Sequence, residues 1–157
     1  MKTTFILIGK TIDPHLNALI DEYTKRITRY IPFEIEVIPE LKNTKNLSCE
    51  QQKNKEAELL QKQLKPGDTI VLLDEKGKEF RSVDFSKYLE NKLTTVNRRL
   101  VFIIGGPYGF APQIYALAHE RISLSKMTFS HQMIRLLFVE QIYRALTISK
   151  GEPYHHE

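Results

Sequence analysis

The chain has a single cysteine, Cys49, among 157 residues and no tryptophan. One cysteine excludes an internal disulfide and any multi-cysteine zinc site. The five histidines, His15, His119, His131, His155 and His156, follow no His-Glu-x-x-His or other ligand spacing, so no metal is expected. Long hydrophobic runs are missing too. No stretch approaches the roughly 20 apolar residues that span a bilayer, and the apolar run of MKTTFILIGK stops at Lys10 without a small-residue cleavage site, as a first strand would. A cytoplasmic protein with no membrane association is the expectation. No internal repeat, low-complexity tract or linker interrupts the sequence, and its length suits one domain over residues 1–157. Net charge is small: 23 Lys and Arg stand against 19 Asp and Glu, for a formal charge of +4. That bias suits a polyanion such as RNA without requiring one.

What is present is an alternation of two periods. Thr4 to Gly9 reads as a strand; Leu16, Leu19, Ile20, Tyr23, Ile27 and Tyr30 then recur at helical spacing up to Pro32. FEIEVIP alternates Phe33, Ile35 and Val37 with Glu34 and Glu36, a strand with one wet face, before the polar loop KNTKNLS. A lysine- and glutamine-rich helix runs to about Leu64, Pro66-Gly67-Asp68 turns the chain, and Thr69 to Leu73 is another strand. A helix with Phe85, Tyr88 and Leu89, the strand Leu100 to Ile104, a helix from Ala111 to His119 and the strand RISL continue the pattern. The fold class expected is α/β, a parallel sheet with flanking crossover helices. The last helix, His131 to Ser149, is apolar nearly all round. It is either a central core helix or one covered on its second side by another subunit, as in a two-fold dimer.

The most informative stretch is LVFIIGGPYGF, Leu100 to Phe110, where a strand buried on both faces runs into glycines. In open α/β sheets ligands settle at the carboxyl ends of strands, and glycine lets backbone approach them. Gly9-Lys10-Thr11 is no P-loop, because that motif needs a glycine where Thr4 stands, and GGPYG fails the dinucleotide pattern because Gly105 and Gly106 are adjacent. Three segments follow strands in the same way: Leu73 to Gly77, Gly105 to Gly109, and Ser123 to Thr128. Parallel strands would place them along one edge, where they can wrap an adenosine read by backbone N–H and C=O groups, with Leu73, Leu124 and Met127 against its faces.

Taken together, LDEKGKEFRSVDFS, FIIGGPYGF, SLSKMTFSHQMIRLLFVEQIYRALTI and the terminal PYHHE, with an amino-terminal GK and then Glu22, Tyr23, Lys25, Arg26 and Ile27, resemble the small SPOUT-superfamily methyltransferases that act on pseudouridine in large-subunit (23S) ribosomal RNA. The likeness covers essentially the whole chain. It implies S-adenosyl-L-methionine as methyl donor, a carboxy-terminal trefoil knot, a homodimer, and transfer to N3 of a pseudouridine on the assembled ribosome. It also implies donor contacts at Leu73, Gly105 with Gly106 beside it, and the run Ser125, Lys126, Met127, Thr128, Phe129 and Ser130.

Such a transfer needs an N3 lone pair held roughly 3 to 3.5 Å from the methyl carbon and a group that removes one proton. His155 or His156 is the candidate base, with Tyr154 orienting or stacking on the nucleobase. His131 is expected to open the last helix beside the donor loop. Glu140 and Arg144, four apart, read as an ion pair, whereas Arg135 has no such partner and is assigned to RNA or the subunit interface. Lys10, Lys25, Arg26 and Arg29 could form a phosphate-binding face. Tyr108 stands in the glycine loop, its direction open. A non-enzymatic RNA-binding assembly factor, or a methyltransferase of the same fold using another RNA, are the alternative readings.

Overall fold

The computed structural model describes residues 2–156. The elements are β1 (Lys2–Ile8), α1 (Pro14–Thr28), β2 (Phe33–Ile38), a 3-10 turn (Thr44–Asn46), α2 (Cys49–Gln63), β3 (Thr69–Glu79), α3 (Ser82–Thr95), β4 (Arg99–Ile104), α4 (Pro112–Leu117), β5 (Glu120–Ser123) and α5 (Met133–Ser149). The strands form one five-stranded sheet in the order β2-β1-β4-β3-β5, and every neighbouring pair is parallel. The expected α/β architecture is therefore the observed one.

Period-two alternation divides the strand side chains between two faces. Phe5, Leu7, Val71, Leu100, Phe102 and Ile122 pack on α1, α3 and α5. Ile6, Ile8, Ile70, Leu72, Val101 and Ile103 pack on α2 and α4. Burial on both faces is why β1 and β4 read as unbroken apolar runs. β2 lies at an edge, and here the expected alternation is corrected: Val37 is 45% exposed while Ile38 is buried. At the amino ends of the strands, Arg99 donates to both oxygens of Asp68 (3.1 and 2.7 Å) and to the Gln63 carbonyl (2.9 Å), tying the start of β4 to the approach to β3.

Two helix ends follow from local chemistry. Ser48 and Gln51 form a capping box at the start of α2. Gly151, with φ of 68°, takes the left-handed backbone that ends α5 and turns the tail back along it. α5 packs on α1 and α3. Tyr143 faces Tyr23 of α1 and Tyr30, and half-buried Leu136 packs against the same core, whereas Met133 at the start of the helix is 42% exposed.

β3 departs from expectation. It does not stop at Leu73 but runs to Glu79. Leu73 and Lys78 both sit opposite Ile122 of β5, so Asp74 to Gly77 is an excursion from a strand that resumes, not the strand's end. His119 is structural: its N–H donates to the Ile70 carbonyl (2.9 Å) and its Nδ1 accepts from the Ile70 N–H (3.0 Å).

Candidate methyl-donor cleft and carboxy-terminal cluster

The excursion of β3 and the carboxyl ends of β4 and β5 open into a cleft of about 620 Å³, a size that suits a small-molecule ligand. Its walls are the three segments singled out in the sequence. Leu73 to Lys76 form one, Gly105 to Phe110 the second, and Ser123 to Ser125 with Met127 to His131 the third. Of the residues expected to contact a donor, all but Lys126 line it.

The physical chemistry of each wall is local. In the third, serines shape the backbone: Ser123 Oγ donates to the Ser125 carbonyl (2.9 Å), Ser125 Oγ accepts from the Met127 N–H (3.0 Å), and Ser130 Oγ accepts from the Met133 N–H (3.1 Å). His131 lies in a turn two residues before α5 and lines the cleft, rather than opening the helix as expected. At the rim, Tyr115 donates to Asp74 Oδ2 (2.7 Å), and the Arg121 guanidinium sits 5.2 Å from its ring centre. Burial and then that bond to Asp74 push the Tyr115 hydroxyl up to about 12, so it stays a donor at neutral pH. Tyr108 is half exposed on the lip. A Cβ on Gly105 would lie 3.1 Å from the Phe110 ring and 3.3 Å from the Gly109 carbonyl, so a side chain there would crowd the second wall.

Arg135 corrects a prediction. Its side chain is 1% exposed, and its donors are taken up within its own chain. It donates to the carbonyls of His131 (3.0 Å), Gly9 (2.9 Å) and Ile8 (2.8 Å) and to Thr11 Oγ1 (3.0 Å). A guanidinium fork suits this work, binding several oxygens at once. The result is a clamp between the end of β1 and the segment entering α5, which also forms the third wall of the cleft.

The tail makes a second polar cluster. Tyr154 Oη lies 3.1 Å from Tyr23 Oη and donates to Glu140 Oε1 (2.9 Å), and its ring meets Tyr143 edge-on at 4.7 Å. Arg144 holds Glu140 Oε1 (2.6 Å), as the i,i+4 spacing predicts, and also reaches His155 Nδ1 (3.0 Å). Arginine can only donate, so His155 Nδ1 accepts and the proton of the neutral ring sits on Nε2. Burial first, then Tyr23 and Glu140, hold the Tyr154 hydroxyl above the usual tyrosine range, so it acts as a hydroxyl and not a phenolate. His156 is exposed. None of these tail residues lines the cleft of its own chain.

Sequence reasoning missed Tyr23 and Glu140 as partners of the tail, although both stood in stretches it had marked. Replacing Tyr23 with Phe removes one partner of the Tyr154 hydroxyl and is expected to cost about 1 kcal/mol of stability, read as a lowered urea midpoint at unchanged slope. Arg26 is not a free phosphate ligand either: it pairs with Glu22 (2.7 Å) and lies over the rings of Tyr23 and Tyr143, whereas Lys10, Lys25 and Arg29 are exposed. Among the described residues no group of three or more His, Cys, Asp or Glu is placed to hold a metal ion, and no helix is long and apolar enough to cross a membrane.

The family model described as "Predicted SPOUT methyltransferase" matches residues 1–155. The chain belongs to the SPOUT methyltransferase family. Among curated SPOUT relatives, proteins named "Ribosomal RNA large subunit methyltransferase H" are 65% identical over 157 residues in Phocaeicola vulgatus and 62% in Bacteroides thetaiotaomicron, each covering 100% of both chains. The protein of that name in Christiangramia forsetii is 54% identical over 156 residues, covering 99% of both. A solved structure of a probable methyltransferase from Bordetella pertussis superposes with a TM-score of 0.56 at 12% identity, over 92% of this chain and 94% of that one. That likeness speaks for the fold alone.

Proposed function

We propose that the protein transfers a methyl group from S-adenosyl-L-methionine to N3 of a pseudouridine in large-subunit ribosomal RNA, on the assembled ribosome. The observation that carries this reading is the cleft at the excursion of β3 and the ends of β4 and β5, walled by the segments that carry the family resemblance. Its size suits the donor, and so does its chemistry: exposed backbone groups of the glycine and serine walls to read an adenine, with Leu73, Leu124 and Met127 to pack its faces. The relatives' printed name supports ribosomal RNA as the acceptor. A carboxy-terminal trefoil knot belongs to the same reading, through the family.

The donor supplies an electrophilic methyl carbon on a sulfonium. The protein's part is to align the N3 lone pair with the S–CH₃ bond and to take up the N3 proton as the C–S bond breaks and the N–C bond forms. Tyr154, anchored between Tyr23 and Glu140, is suited to orient the nucleobase. His155 Nδ1 is engaged by Arg144, and exposed His156 is the candidate to take the proton.

Because the tail does not line the cleft of its own chain, this chemistry calls for a second copy whose tail reaches across. A homodimer through the start of α5 fits that need: Met133 is 42% exposed there, and Ile12, 78% exposed, bonds through its N–H to Gln132 just before the helix. Cytoplasmic location and a single domain over residues 1–157 complete the reading.

Titration calorimetry tests the donor assignment. The wild-type protein should bind both S-adenosylmethionine and S-adenosylhomocysteine, and Gly105→Leu, whose side chain would press on the Phe110 ring, should weaken both at least about tenfold, or 1.4 kcal/mol. No heat of binding for either compound would contradict the assignment.

A further inference from the structure

Beneath the glycine wall lies a carboxyl group that the fold does not explain. Glu56 of α2 is 5% exposed, and its Oε1 has no hydrogen-bond partner. Its Oε2 receives only a long bond from Gln52 Nε2, 3.4 Å. Ile8, Leu60, Phe110 and Ile114 line a crevice beside it that is too narrow for a water molecule, with Lys53 also on its wall. An unpaired carboxyl in such a place costs stability unless it is used. The group faces the cleft's second wall from behind: a Cβ on Gly106 would lie 2.6 Å from each of its oxygens. A side chain on Gly106 would have to displace the Glu56 carboxyl.

We propose that Glu56 is a positioning residue of this wall: when the methyl donor is bound, its free oxygen accepts a backbone N–H of the Gly106–Gly109 turn and holds the wall in its binding form. The donors available are few. Pro107 has no N–H, and that of Gly109 already goes to the Gly106 carbonyl (3.1 Å), which leaves Gly106 and Tyr108. The inference rests on the donor reading of the cleft, and it adds the device by which α2, which carries none of the cleft's lining residues, acts on donor binding.

The charged neighbours facing Glu56 are Glu40, after β2, which disfavours its ionised form, and Lys53, one turn earlier on α2 beside the same crevice. Burial raises the carboxyl's pKa above the ordinary glutamate value, and Glu40 adds to that. A bond from a loop N–H favours the ionised carboxyl, so the donor-bound state holds fewer protons. Donor affinity should then rise as pH rises through the titration of Glu56.

The test is calorimetry of S-adenosylmethionine on wild type, Glu56→Gln and Glu56→Leu across pH 5 to 8. Glu56→Leu should weaken binding about tenfold or more, since a loop N–H then loses its charged acceptor. Glu56→Gln keeps the shape and an acceptor oxygen, so it should fold and bind within several-fold of wild type, but without the rise of affinity with pH. Equal affinities in the three proteins, or a pH profile that survives in Glu56→Gln, would overturn the role of Glu56 and leave the donor reading standing. A wild-type protein that binds no donor would overturn both.

Discussion

Arg135→Ala should lose about 3 to 5 kcal/mol of folding stability, because it strands several buried carbonyls at once and leaves a cavity. The four oxygens it holds belong to Ile8, Gly9, Thr11 and His131, at the end of β1 and at the entry to α5. A backbone carbonyl left buried without a donor costs its desolvation, and water reaches this site poorly, since the whole side chain is 1% exposed. Against a typical total of roughly 5 to 15 kcal/mol, a loss of that size brings the fold near its threshold. Arg135→Lys should recover only part, since one ammonium does not reproduce a fork that serves four oxygens. Urea unfolding followed by circular dichroism measures both. Wild-type stability in Arg135→Ala, with weakened RNA binding instead, would return the residue to the RNA contact expected from sequence.

Deleting Pro153 to Glu157 should lower methyl transfer by roughly 10² to 10⁴ fold, the range for losing a positioned proton-transfer group, while S-adenosylmethionine still binds. The deletion removes Tyr154, His155 and His156 but touches no residue of the cleft's own walls. It costs the packing of Tyr154 on Tyr143 as well. His155→Gln and Tyr154→Phe are therefore the finer probes: both keep most of that packing, and single-turnover rates separate chemistry from binding. Mixing the tail-deleted protein with Gly105→Leu tests the crossed arrangement. At donor concentrations well below what Gly105→Leu needs, each variant alone should be nearly inactive, and mixed dimers should regain activity because one cleft and one tail remain intact in the same site. Full activity of the truncated chain would remove the tail from the mechanism.

The parts legible in the sequence are those governed by short-range pattern. Two-sided burial makes β1 and β4 continuous apolar runs, and parallel strands bring their carboxyl ends to one edge, so the three cleft segments could be named before any coordinates. Glu140 and Arg144 were legible for the same reason, one helical turn apart. What escaped depends on partners far along the chain. Arg135 binds carbonyls of Ile8 and Gly9, 127 and 126 residues away, and backbone acceptors carry no residue type to recognise. Tyr23 meets Tyr154 across 131 residues. The excursion of β3 was read as a loop because Asp74 to Gly77 is polar, and only the second pairing at Lys78 opposite Ile122 shows the strand resuming. Glu56 was hidden in a lysine- and glutamine-rich helix whose buried face is marked only by Ala57 and Leu60.

Nucleoside mass spectrometry tests the central claim most directly. Whole ribosomes and a free large-subunit RNA hairpin, each carrying either pseudouridine or uridine, would be incubated with the protein and S-adenosylmethionine bearing an isotopically labelled methyl group. The account predicts label on N3 of pseudouridine, in ribosomes more than in free hairpin, and none on uridine. Label on uridine as readily, or no label on any of the four substrates by a protein that binds the donor, would contradict it.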